Sequence, residues 1–292
     1  MTSVLHPRGL PPTLARLQRT LVLGIVNVTP DSFADGGLWL DPAAAVAHGI
    51  ALHRNGADIV DVGGESTRPG AMRVDMGSEC ARIEPVVAGL VAAGVPVSID
   101  TMRAEVAAVA LNAGACMVND VSGGAADPTM LPWLATVDVP FIVMHWRGPS
   151  AVMSELAVYT DVVAEVIAEL QQRLAAVKTA GIDLSRVVID PGIGFSKEAE
   201  HNWALLHHID RLIQLGHPVA LGASRKRFIG ALLANAAGEP RPVQQRDYAT
   251  DAITALAAAQ GVWGVRVHDV SGSRDCVAAA TAWRNGEAHG SS

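Results

Sequence analysis

Asp100 and Asp190 each close a run rich in β-branched residues, in VSID and VVID. A carboxylate at the inner end of a buried strand is costly unless donors or a ligand match it. Each could instead cap the helix that follows or brace a loop. Joined by Asn119 of CMVND, the two make an acceptor-rich patch beside an amide. Such a patch suits a flat heterocycle with adjacent N–H donors, because one carboxylate accepts two parallel N–H bonds.

Cations stand at other run ends. Lys226 is one of three lysines beside nineteen arginines. Its ammonium can do what a planar guanidinium cannot, while Arg225 and Arg227 supply generic charge. A solvated lysine in a first helical turn is the alternative. Arg266 and His268 alternate in VRVHD, so they share a face and could grip a phosphate. Arg266 could equally pair with Asp269 or Asp100, and His268 could bond a backbone carbonyl in the core. Asn27, Thr67 and Arg68 lie on or next to two long connections. Asn27 could simply brace the turn before Pro30, and residues 67–70 could form an ordinary turn. An Asn oxygen is also a ligand that Mg²⁺ takes when phosphates and waters complete its shell. The sequence contains no dedicated cage of His, Cys or clustered carboxylates, so any metal is expected to arrive with a substrate.

The elements that must position these residues are eight short apolar runs, each ending where it gives way to a Gly/Pro/Ser-rich turn. The run ends fall near Asn27 and Thr67, at Asp100, Asn119, Met144 with His145, Asp190 and Lys226, and at Arg266 with His268. Helical patterns alternate with them over 41–55, 77–93, 103–113, 127–135, 161–180, 200–215, 226–237, 246–260 and 274–283, several closed by Gly56, Gly94, Gly114, Gly181 or Gly216. Strand-helix alternation with short connections implies right-handed parallel crossovers. GIVNVTPDSF lacks the glycine cluster of a dinucleotide-binding turn. The expected fold is therefore a single-domain α/β protein, a closed (β/α)8 TIM barrel over 21–285, with an arm at 1–20 and a flexible tail at 286–292. All eight strand ends would open onto one pocket. The longer connections at 29–40, 63–76 and 147–160 would share that rim.

The 292 residues are half hydrophobic and only 4% aromatic, which suits tightly packed buried strands. A net charge of −7 gives no broad attraction to nucleic acid or anionic lipid, so any anion is bound at one local site. Cys80, Cys116 and Cys276 lack metal-ligand spacing and read as reduced, mostly buried thiols. No signal-type or membrane-spanning apolar stretch is visible, and a cytoplasmic protein is expected.

From about Leu21 to Trp283 the chain resembles the dihydropteroate synthases of the pterin-binding enzyme family. The resemblance is carried, in order, by GIVNVTPDSFADGG, DVGGESTRPGA, SIDTMR, VNDVSGG, VMHWRG, IDPGIGFSK, GASRKRFIG and RVHDV. It implies a homodimeric barrel joining 6-hydroxymethyl-7,8-dihydropterin diphosphate to 4-aminobenzoate in folate biosynthesis, with Mg²⁺. Asp100, Asn119, Met144, Asp190, Phe195, Gly222 and Lys226 would bind the pterin. Asn27, Thr67, Arg266 and His268 would meet the diphosphate, Asn27 also contacting the metal. Phe33, Thr67, Arg68 and Pro69 would build the 4-aminobenzoate pocket where sulfonamides compete. Asp100, Lys226, Arg266 and His268 would carry the catalysis. One departure stands out: the family often has Ser after the pterin lysine, where this chain has Arg227, which can still bind a carboxylate. A folate methyltransferase, a non-catalytic or substrate-divergent pterin-binding paralogue, and a purely structural barrel are the competing expectations.

Overall fold

The computed structural model describes residues 4–29, 41–66 and 73–286. Within them the eight runs form parallel strands: β1 (Leu21–Asn27), β2 (Ile59–Gly63), β3 (Val97–Asp100), β4 (Met117–Asp120), β5 (Phe141–Met144), β6 (Val187–Asp190), β7 (Ala220–Leu221) and β8 (Gly264–Val267). Their order is β6-β5-β4-β3-β2-β1-β8-β7, and a parallel bridge between Ile189 and Val219 joins the two ends of the sheet. The result is the expected (β/α)8 barrel.

Helix α1 (Pro12–Ala15) precedes the barrel. The others follow strands: α2 (Pro42–Arg54), α3 (Met76–Ala92), α4 (Ala104–Asn112), α5 (Met130–Leu134), α6 (Val162–Thr179), α7 (Ala199–His207), α8 (Ile209–Ile213), α9 (Arg227–Leu232), α10 (Asp247–Gln260) and α11 (Val270–Asn285). Capping starts several of them. Asp41 accepts from the Ala44 N–H, and Asp161 from those of Val163 and Ala164. The five expected glycine stops all fall at positive φ.

Three helix expectations are corrected. The helix expected over 226–237 ends at Leu232, because the Asn235 side chain accepts from the N–H groups of Ala237 and Glu239, both at 3.0 Å, and folds the chain into a turn. The helix expected over 200–215 breaks at His208 into α7 and α8. The last begins at Val270 rather than at 274, capped by Asp269 on the Gly272 N–H.

The strand period of two divides the barrel wall into two faces. Val60, Val62, Val97, Ile99, Val118, Phe141, Val143 and Val187 pack outward against the helices. Leu21, Leu23, Ile59, Met117, Ile142, Val188 and Ala220 point inward and fill the lower part of the barrel. Continuing the inward series upward changes their chemistry: two residues on stand Asp61, Asn119, Met144, Asp190 and Gly222, four on from Leu23 stands Asn27, and Asp100 follows Ser98 on β3. Most of these inward series are thus apolar at the bottom of the barrel and polar or glycine at the top.

The arm before β1 has a clear place. Val4, Leu10 and Leu14 join Trp263 and the inward apolar layer in one cluster. The Trp263 indole N–H donates to His6 Nδ1 at 3.2 Å, and His6 Nε2 lies 2.6 Å from the Leu17 carbonyl oxygen. The arm therefore plugs the mouth opposite the polar strand ends. On α10, Ile253, Ala257 and Ala258 are buried, whereas Leu256 is 69% exposed. The three cysteines are unpaired and half-buried.

Candidate active site

Strand register brings the widely spaced residues level. Asn27 pairs with Gly63, Gly63 with Asp100, and Asp100 with Asn119 across four adjacent strands. Met144 pairs with Asp190 on the next pair of strands. Arg266 rises from β8 to meet them. Its Nε donates to Asp61 Oδ2 at 2.5 Å and its Nη2 to Asp100 Oδ2 at 2.8 Å. The pairing of Arg266 with Asp100, raised as an alternative from sequence, is present, and Asp269 instead caps α11.

Asp61 is a residue of this site that sequence reasoning missed. It is fully buried in the middle of β2 and also accepts from Asn119 Nδ2 at 3.0 Å. One carboxylate oxygen therefore orients both the guanidinium and the amide. Its other oxygen, and the Ser98 hydroxyl on the neighbouring strand, are buried with no hydrogen-bond partner in the protein. Burial pushes the Asp100 carboxyl well above the ordinary carboxylate range; the Arg266 cation opposes this, and the nearby Asp61 and Asp120 charges reinforce it. The floor of the site thus holds more carboxylate charge than Arg266 alone neutralises. A cationic ligand or intermediate is the natural complement.

Lys226 caps the start of α9, and a turn just before it sets its direction. Arg225 adopts a left-handed conformation (φ 58°) and forms a bidentate pair with Asp247 of α10 at 2.6 and 2.8 Å. Arg225 is therefore structural rather than a source of generic charge. The Lys226 ammonium donates to the Ile193 carbonyl and lies 4.6 Å from the centre of the Phe195 ring. Burial pulls this lysine down to about 8, while Asp190 pulls the other way. A Cβ on Gly222 would sit 3.9 Å from both Arg266 Cβ and Lys226 Nζ, so a longer side chain would fill the space between the two cations.

His268 is steadied by Ser224. The Ser224 Oγ accepts from the His268 backbone N–H at 3.2 Å and lies 3.0 Å from Nδ1. With the hydroxyl donating to Nδ1, the neutral ring carries its proton on Nε2. Arg227 stands exposed in the first turn of α9. Phe33, Thr67, Arg68 and Pro69 lie outside the described residues. The stem next to the last three is firmly held: Glu65 is buried and pairs with Arg103 at 2.9 Å and Arg73 at 3.1 Å, and Arg103 also pairs with Glu79. The 147–160 connection, for which the sequence offers no motif, is organised by Arg147. That residue donates to the Val158 carbonyl at 2.6 Å, pairs with Glu165 and Glu169, and stacks 3.8 Å over the Tyr159 ring.

Among the described residues no cluster of three His, Cys, Asp or Glu side chains could hold a metal. Asn27 Oδ1 and Asp100 Oδ2 lie 3.5 and 3.6 Å from the point where a Cβ on Gly63 would stand, so a neutral oxygen and a carboxylate flank one spot. Such a pair fits an ion that keeps its waters and takes further oxygens from a phosphate.

The model of the family described as "Pterin binding enzyme" matches residues 23–268. The dihydropteroate synthase of Mycobacterium leprae is 55% identical over 263 residues, covering 90% of this chain and 93% of that protein. Xanthomonas albilineans dihydropteroate synthase with 4-aminobenzoic acid superposes with a TM-score of 0.81 at 46% identity, covering 91% of this chain and 93% of the other. The Yersinia pestis dihydropteroate synthase in a sulfonamide complex gives 0.89 at 36% identity, covering 96% and 99%. The family match runs from the floor of β1 to the histidine that ends the last strand's motif, the same span that builds the polar mouth, and this chain belongs to the pterin-binding enzyme family.

Proposed function

We propose that this chain acts as a dihydropteroate synthase, a transferase that joins 6-hydroxymethyl-7,8-dihydropterin diphosphate to 4-aminobenzoate and releases 7,8-dihydropteroate and diphosphate. The observation that carries this reading is the meeting of Arg266, Asp100, Asn119 and Asp61 at one mouth. Asp190 and Asn119 hold the edge of the pterin, Met144 and Phe195 shape its slot, and Lys226 donates to the ring. Arg266 and His268 bind the diphosphate and offset the charge that grows on it as the C–O bond breaks, the electron pair leaving with the phosphate. Asn27 would hold Mg²⁺, which when bound with the diphosphate adds charge neutralisation on the leaving group. The carbon left behind is cationic and its charge spreads into the pterin. The Asp100 carboxylate favours that state, and the arylamine nitrogen then forms the C–N bond and gives up its extra proton to solvent water. No side-chain nucleophile is needed. Phe33, Thr67, Arg68, Pro69 and Arg227 receive the 4-aminobenzoate.

The test is direct: mix the protein with the pterin diphosphate, Mg²⁺ and 4-aminobenzoate, and follow diphosphate release. Release that depends on the amine is expected. Pterin binding without release would make the chain a non-catalytic paralogue.

No helix among the described residues is long and apolar enough to cross a membrane. We place the protein in the cytoplasm, supported by its unpaired thiols. Leu232, Tyr248, Leu256 and Trp283 are exposed on α9, α10 and α11, which supports a homodimer formed through that side. Sedimentation at micromolar concentration checks it, with a monomer as the contrary result.

A further inference from the structure

Two of the three lysines grasp the same turn. Residues 190–197 carry Asp190 and Phe195, and the turn folds back on itself with left-handed residues at Gly192, Gly194 and Ser196. Lys226 donates to its Ile193 carbonyl from the substrate side. From the other side Lys197, buried, donates to the carbonyls of Gly192 at 3.1 Å and Phe195 at 3.0 Å. Its third neighbour is His145 Nδ1, 2.9 Å away. His145 Nε2 in turn lies 2.9 Å from Glu169 Oε2. The ring can satisfy both only by accepting at Nδ1 and donating from Nε2.

The chemistry of this relay is closed at each link. Burial pulls Lys197 down to about 7. Its three acceptors nevertheless match the three N–H donors of an ammonium one for one, and a neutral amine would turn a lone pair toward one of them. Glu169, at the outer end, is held well below the ordinary carboxylate range, to about 2, chiefly by its bond with His145. It reaches a cavity of about 610 Å³ that Arg147 and Arg173 also line. The relay thus runs from a partly exposed carboxylate, through a buried imidazole, to the carbonyls that shape the pterin slot. Close packing leaves the turn little room to shift: a Cβ on Gly192 would stand 2.4 Å from the His145 carbonyl oxygen.

We infer that Lys197, locked by His145 and Glu169, is a positioning residue that fixes the 190–197 turn, so that Asp190, Phe195 and the Ile193 carbonyl meet the pterin and Lys226 in a set geometry. This rests on the synthase reading of the site. It does not give Lys197 contact with substrate.

The test measures pterin diphosphate affinity by calorimetry, and the KM of each substrate, in Lys197→Met and in the pair His145→Leu and His145→Asn. Lys197→Met is expected to weaken pterin binding about 10- to 100-fold, the effect of losing charged hydrogen bonds to buried partners. The KM for 4-aminobenzoate should stay within about twofold, because none of the residues proposed to receive it belongs to the 190–197 turn. His145→Leu should weaken pterin binding similarly, and His145→Asn, which keeps an acceptor for the lysine, should recover most of it. Should Lys197→Met fail to fold, the histidine pair carries the same test. Folded Lys197→Met or His145→Leu protein binding pterin like the wild type would overturn the inference, as would equal losses for both substrates. Wild-type protein that releases no diphosphate would count against the synthase reading instead.

Discussion

The two mouths of this barrel are built from the same strands and have opposite chemistry. At the lower mouth, Leu21, Ile59, Met117, Val188 and Trp263 meet Val4, Leu10 and Leu14 of the arm and shut water out. At the upper mouth the same inward series end in Asp100, Asn119 and Asp190, with Asp61 and Arg266 just beneath. Apolar groups packed against one another are satisfied without a ligand. Carboxylates and a guanidinium gathered in a buried pocket are satisfied only in part, and burial drives Asp100 upward as a result. One mouth supplies stability and the other spends some of it on preorganised charge.

The sharpest way to break this contrast is Asp61→Ala. It strands Arg266 and Asn119 in a buried site, so stability should fall by about 3–5 kcal/mol. Turnover should fall together with it, kcat/KM dropping about 100-fold or more. Denaturant unfolding and steady-state kinetics on the same sample read both.

Leu14→Ala works at the other mouth. It should cost about 2–5 kcal/mol in unfolding free energy, with kcat/KM within about twofold of wild type. A comparable loss of activity would show that the plug and the site are coupled.

A pH series sharpens the comparison further. Burial raises the pKa of Asp100, and its charged form is the one that supports the cation. The acid limb of kcat/KM should therefore lie above the ordinary carboxylate range, falling about tenfold per pH unit below it. The linkage of Asp100 to stability has the opposite sign: a carboxyl whose pKa is raised on folding contributes stability at low pH that is lost as pH rises through that range.

The smallest effect is expected for Trp263→Phe, which removes the bond to His6 and leaves the ring's packing largely in place. About 1 kcal/mol of stability should go, with no change in kinetics.

Much of this organisation was legible in the chain. A strand end announces itself when an apolar run stops at a polar residue followed by a turn, and Asp100, Asn119 and Asp190 all do this. Asp61 does not, because it sits in the middle of IVDVG with no turn after it. Its partner Arg266 lies more than two hundred residues away. Lys197 was hidden for a related reason: nothing local shows that its acceptors are carbonyls of its own turn and a histidine from β5's end. Helix α9 is shorter than its pattern implies because alanines and leucines continue that pattern past Leu232, while the Asn235 side chain takes the N–H groups that a helix would use. The arm's role as a plug follows from tertiary packing that a Pro-rich segment does not advertise. Periodicity reports which way a side chain points, and it is silent about what arrives from elsewhere in the chain.

The most direct test of charge preorganised at the upper mouth is the single-turnover rate of Asp100→Asn, measured alongside its affinity for the pterin diphosphate. The expected result is a chemical step slowed about 100-fold or more, with affinity changed far less. An unchanged rate in protein that still binds both substrates would contradict it.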